Sequence, residues 1–194
     1  PAKTLTDIVN SLADSEVQFS VNGKPEAAIK SGTFKGVVRG IEATEFPAIP
    51  EHDVSNGVAL DASILKEMIQ ATAFAASIDE ARPVLEGVQL SLDGNSFSMV
   101  ATDGFRLAIK KATLPVSVGS QQAIIPASSL KETVRILSAT KPDQVHLLIP
   151  QKGSQVVLRV ANVQLISQLI DGRFPDYQAI VPKGYKTRTV LATA

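Results

Sequence analysis

Leu60-Asp61-Ala62-Ser63-Ile64-Leu65-Lys66-Glu67 returns 65 positions later as Ile125-Pro126-Ala127-Ser128-Ser129-Leu130-Lys131-Glu132, with Ala, Ser, Leu, Lys and Glu in the same places. Each copy follows a short apolar run, Gly57–Leu60 in one case and Ala123–Ile125 in the other. Each then opens a helical pattern. Leu65, Met68, Ile69 and Thr72 share one face of the first helix, and Leu130, Val134 and Leu137 share one face of the second. Asp61 has the chemistry of an N-cap and Pro126 suits a helix start.

After each helix come three strand-like runs. The first set is 84–92, 96–102 and 105–112, with Asp93-Gly94-Asn95 read as a tight hairpin turn. The second set is 144–149, 154–160 and 163–170, with Lys152-Gly153 at the turn. A longer offset ties the start of the chain to the same plan. Leu5, Val9 and Leu12 repeat Leu130, Val134 and Leu137, and Phe46-Pro47 repeats Phe174-Pro175. Between them lie strand-like runs at 17–21, 26–31 and 33–41, with Asn22-Gly23 as a hairpin signal. The tail Thr189–Ala192 resembles the strand at 57–60. The chain therefore reads as a tandem array. Residues 1–52 are half a unit, 53–184 a whole one, and 185–194 the start of a third. Amphipathic helices with weakly alternating strands, as in Val88-Gln89-Leu90-Ser91-Leu92, predict an α+β fold of antiparallel sheet covered by helices on one side. The half unit is expected to expose an apolar face that further chain or an intermolecular contact would cover.

Composition narrows the function. Of 194 residues, 44% are hydrophobic and 20% charged, an ordinary globular balance. Lys plus Arg and Asp plus Glu each number 19, which excludes a polybasic nucleic-acid binder but not a locally basic face. With no Cys and only His52 and His146, thiol chemistry and Cys-based zinc sites are excluded. No apolar run approaches the roughly 18 residues of a membrane span, and Pro1-Ala2-Lys3-Thr4 has no signal-peptide pattern. There is no phosphate-binding G-x-x-x-x-G-K-[ST] loop and no G-x-S-x-G elbow.

Four segments carry a family resemblance: Ala101-Thr102-Asp103-Gly104-Phe105-Arg106-Leu107-Ala108; Leu169–Tyr177, including Asp171-Gly172-Arg173-Phe174-Pro175-Asp176, with Ile180-Val181-Pro182 after it; 72–87, including Asp79–Gly87; and Glu45-Phe46-Pro47-Ala48-Ile49-Pro50. Together they resemble the bacterial DNA polymerase III beta subunit, the sliding clamp. The resemblance implies the DNA-clamp fold, with sheets outside and two helices per domain on the inner face. Residues 1–52 would be the second half of clamp domain one, 53–184 domain two, and 185–194 the start of domain three. It also implies a non-catalytic processivity factor without metal or cofactor, located in the bacterial cytoplasm at the nucleoid. In full-length form this would be a head-to-tail homodimeric ring around duplex DNA that binds without regard to sequence. DNA polymerase and clamp-loader subunits would dock on it through short peptides.

By the same resemblance the peptide pocket is walled by Leu85, Thr102, Gly104, Phe105, Arg106, Leu107, Pro175 and Ile180. Phe105 stands where some relatives have His, and Pro83-Val84 where some have aromatic residues. The residues facing DNA would be Arg82 and Arg135, then Lys3, Lys66 and Lys131. Ser128 stands where the family often has a basic residue. Two alternatives accompany this reading. One is a peptide-docking adaptor of the same fold that never encircles DNA. The other is a hydrolase built on Asp103, Asp171 and Asp176, although each of these lies beside a Gly or Pro in a turn, where Asp has a structural task.

Overall fold

The computed structural model describes residues 1–13, 16–46, 57–149, 154–182, 184, 186, 187 and 189. The turn at Lys152-Gly153, His52, and the tail strand beyond Thr189 lie outside the described residues. The chain divides into two compact units, Pro1–Glu51 and His52–Ala194.

The first unit begins with α1 (Ala2–Ser11), followed by β1 (Gln18–Val21), β2 (Glu26–Ser31) and β3 (Phe34–Arg39). The strands form an antiparallel sheet in the order β1-β2-β3, with Phe19 opposite Ile29 and Ile29 opposite Gly36. The expected turn at Asn22-Gly23 is present, with Gly23 at φ +67, a left-handed angle that glycine reaches without steric cost. Ile29 is completely buried, but α1 buries no residue fully. Phe19 and Val21, which share one face of the sheet, are 55% and 59% exposed, and Ile41 is 65% exposed.

The second unit opens with β4 (Val58–Asp61) and α2 (Ala62–Thr72). The Asp61 carboxylate accepts hydrogen bonds from the backbone N–H of Ser63 (2.8 Å) and Ile64 (3.0 Å), capping two orphan donors. Leu65, Met68, Ile69 and Thr72 are all buried. Then come β5 (Gly87–Thr102), β6 (Leu107–Pro126) and α3 (Ala127–Thr140), the last closed by Lys141 in the left-handed region. In α3, Leu130 and Leu137 are buried, while Val134 is half-buried at the edge of the core. The buried threonines Thr72 and Thr133 return their hydroxyls to the carbonyls of Met68 and Ser129, which leaves no buried hydroxyl unpaired at either position. The chain continues through β7 (Gln144–Leu148), β8 (Gln155–Val160) and β9 (Val163–Gln168).

All pairings are antiparallel, and helix and sheet segregate as an α+β fold. α2 packs against α3, and both helices contribute to one core with β5 through β9. The repeat is visible in the pairing. The opening strand of the first copy, β4, pairs with β7, the first strand after the second helix. Residues 121–126, which open the second copy, pair with 87–92, the first strand after the first helix. Each copy thus lends its opening strand to the other.

Three strand limits depart most from the sequence reading, the others shifting by a residue or two at an end. Asp93-Gly94-Asn95 does not interrupt β5, which runs from Gly87 to Thr102. It marks register shifts between Leu92, Gly94 and Ser96, with Gly94 at φ +56. A glycine in a strand commonly marks such an irregularity, and the pattern alone does not separate it from a turn. Val84 lies in a short 3-10 turn, Pro83–Glu86, ahead of the strand. The run begun at 105 starts at Leu107 and continues to Pro126. Among the described residues no helix is long and apolar enough to cross a membrane.

Candidate functional site

The turn between β5 and β6 is built by its own side chains. Thr102, buried at the end of β5, donates its hydroxyl to the Arg106 carbonyl (2.7 Å) and accepts from the Gly104 N–H (3.0 Å). One Asp103 carboxylate oxygen accepts from the N–H groups of Phe105 (2.9 Å) and Arg106 (3.0 Å). The other accepts from Arg106 Nε at 3.0 Å. The bonds from the Phe105 and Arg106 backbone hold the Asp103 carboxyl below its ordinary value, and the Arg106 side chain adds to the effect. Gly104 sits at φ +94, and a Cβ there would lie 3.4 Å from Arg82 Nη1.

This geometry pushes Phe105 outward, 95% exposed. It also places the Arg106 guanidinium 5.7 Å from the centre of the Phe74 ring, within cation–π range.

Leu107 leads from the turn into a small apolar cluster. Val100, Ile124 and Phe174 are buried there, with Val84, Ile170, Tyr177 and Leu107 packed around them. Ile170 N–H donates to the Ile124 carbonyl (2.9 Å), fastening the segment after β9 to the sheet. Gly172 allows that segment to press on Val84, because a Cβ at 172 would stand 2.8 Å from Val84 Cγ2. Three segments therefore meet at this cluster: the 3-10 turn at Pro83–Glu86, the β5–β6 turn, and the stretch from Ile170 to Ile180.

The eight candidate pocket residues all lie on these segments. Thr102, Gly104, Arg106 and Leu107 form one hydrogen-bonded turn with Phe105 at its tip. Leu85 is half-buried beside Val84, its N–H donating to Arg82 and its carbonyl accepting from Ser77. Pro175 is exposed next to buried Phe174, and Ile180 is 67% exposed after the 3-10 turn Tyr177–Ala179. The sequence reading did not single out the apolar cluster on which these segments meet, namely Val84, Val100, Ile124, Ile170, Phe174 and Tyr177, nor Phe74 beside Arg106. On their strands, Val100 and Ile124 look like any inward position. Phe74 follows α2 in a 3-10 turn and is outside the helical period.

The candidate DNA-facing cations differ in state. Lys131 is exposed on α3, Lys66 half-buried on α2, and Lys3 exposed on α1 of the first unit. Arg135 grips Glu132 through Nε at 2.9 Å and through Nη2, and that hydrogen bonding lowers the Glu132 carboxyl below its usual range. Arg82 bonds Asp79 through Nε at 3.2 Å. Each arginine thus shares its charge with an acid three residues before it. Glu67, on the exposed side of α2, is likewise paired with Lys110 of β6. Asp103 is occupied by its own turn, and among the described residues no three His, Cys, Asp or Glu could together hold a metal ion.

Comparison with known proteins agrees with this anatomy. Residues 59–176 match the family model of the DNA polymerase III beta subunit, central domain. The beta sliding clamp of Staphylococcus epidermidis is 32% identical over 97% of this chain, and that of Bacillus subtilis 31% over 99%. The chain spans about half the length of these curated relatives, 49% and 50%. Among solved structures, the DNA polymerase III beta chain of Streptococcus pneumoniae superposes with a TM-score of 0.81 at 29% identity, covering 95% of this chain and 48% of that one. A Pseudomonas aeruginosa sliding clamp bound to griselimycin superposes at 0.79 and 28% identity, covering 96% and 50%. With a duplicated strand-helix-strand unit, two packed helices and a matching central-domain model, the chain belongs to the DNA polymerase III beta-subunit family.

Proposed function

We propose that this chain is part of a sliding clamp, a processivity factor that encircles duplex DNA and holds the replicative polymerase there. The turn at 102–107 supports the docking half of this reading most directly. A rigid loop sets Phe105 and Arg106 at the rim of an apolar cluster, an arrangement suited to gripping the large side chains of a short partner peptide. Leu85, Leu107, Pro175 and Ile180 supply the walls, Gly104 permits close approach, and the Arg106 stem packs while its head stays wet. The polymerase and clamp-loader subunits are the partners, the full-length protein works as a homodimeric ring in the bacterial cytoplasm, and the role is non-catalytic. Lys3, Lys66, Lys131, Arg82 and Arg135 are the candidate contacts to phosphate. Such contacts carry no sequence information, as sliding requires.

Binding of a polymerase-tail peptide, or of griselimycin, tests the pocket. Phe105→Ala and Ile180→Glu alter exposed side chains and are expected to weaken binding at least tenfold without shifting the melting temperature. Unchanged affinity in both variants would reject the pocket. A second reading, a docking adaptor that does not encircle DNA, is favoured by the pairing of Arg82 and Arg135 with acids. Retention of the full-length protein on circular but not linearised DNA separates the two.

A further inference from the structure

Beside the pocket runs a trough of about 990 Å³ that the pocket reading leaves unused. Its base is the face of β5 and β6 that carries Gln89, Ser91, Ser96, Ser98 and Gln122, and its far wall is the segment from Gln168 to Gln178. These base residues lie on one side of the sheet because their strands are in register. Ser91 pairs with Gln122, Gln89 with Ile124 and Ser98 with Lys111. Only one hydrogen bond joins them among the described residues, Gln122 Nε2 to Ser91 Oγ at 3.3 Å. The surface therefore offers hydroxyl and amide groups with spare capacity. Its charged margins nearly cancel, with Lys111 and Arg173 set against Asp171 and Asp176.

One end of the trough abuts the apolar cluster beside the proposed pocket: Ile124, Ile170, Phe174 and Tyr177 belong to that cluster and line the trough, as does the candidate wall residue Pro175. We propose that the trough receives the polar, extended stretch that flanks the apolar anchors of the docking peptide. This rests on the pocket assigned above and adds a second determinant to it. Large apolar residues enter at the Leu107 cluster. The adjoining residues lie along the Ser91–Ser98 surface and are recognised by neutral hydrogen-bonding side chains, Ser, Thr, Asn or Gln. Charge plays little part, so the contribution of the flank is insensitive to salt.

The test uses two labelled peptides with the same polymerase-tail anchor, one flanked on both sides by Ser and Gln and the other by Ala. Anisotropy titrations on the unaltered chain are expected to show the Ser/Gln peptide binding about tenfold tighter. Ser98→Tyr, which fills the trough, and Gln122→Ala, which removes one amide, are expected to erase or shrink that advantage. Neither should change the affinity of the Ala-flanked peptide. Equal affinities on the unaltered chain, or an advantage that survives Ser98→Tyr, would overturn the trough. Failure of both peptides to bind would instead overturn the pocket, and the trough with it.

Discussion

Gly172→Ala should be costly for two separable reasons. Gly172 adopts φ +129, where an L-residue is strained by roughly 1–3 kcal/mol. The new Cβ would also stand 2.8 Å from Val84 Cγ2, closer than real carbon contacts, so the cluster must shift. Overpacking of this kind costs about 1–3 kcal/mol. A combined loss of about 3 kcal/mol lowers the melting temperature of a domain this size by roughly 6–12 °C. Val84→Ala removes the obstructing methyl but not the backbone strain. In that background Gly172→Ala should therefore cost about 1–2 kcal/mol less. Thermal or urea unfolding of the four proteins measures the coupling. Strict additivity would show that Gly172 does not hold the Ile170–Ile180 segment against the Pro83–Glu86 turn, and the convergence of these segments on the Val100–Ile124–Phe174 cluster would lose its support.

Three further outcomes follow. Asp61→Ala removes the cap of α2 and should destabilise by about 1 kcal/mol, read by urea unfolding, with Asp61→Ser recovering most of it. Leu130→Ala empties a fully buried site in α3 and should cost about 2–5 kcal/mol, whereas Val9→Ala, at the equivalent helical position to Val134 but 44% exposed in α1, should cost little. The Asp103 carboxyl is depressed in the folded turn below its ordinary 3.8, so its stabilising effect is complete above that value and is lost as pH falls through the lowered one. Peptide affinity should accordingly hold from neutral pH down to about 4 and then drop, and Asp103→Asn should weaken binding at neutral pH and remove that drop.

The repeat was legible because burial follows the helical period in both copies: Leu65, Met68 and Ile69 in one, Leu130 and Leu137 in the other. Asp61 was legible as a cap because few residue types perform that task. Strand continuity at Asp93-Gly94-Asn95 was not, since a glycine with positive φ serves a bulge as readily as a hairpin. The turn at Thr102–Leu107 could be read locally, because its side chains bond within it. The apolar cluster beside it could not, because Val100, Ile124 and Phe174 are far apart in sequence and meet only in the folded chain. The neutralisation of Arg82 and Arg135 was legible in principle, as each has an acid three positions earlier.

The exchange of opening strands bears on how the second unit comes into being. Neither β4 nor residues 121–126 has a ladder partner inside its own copy, so neither copy's sheet is complete before the other has been made. During synthesis the first copy must wait, with an edge open, for β7 to emerge. Complete folding is thus expected only once both halves are present, the two closing on each other in the manner of clasped hands.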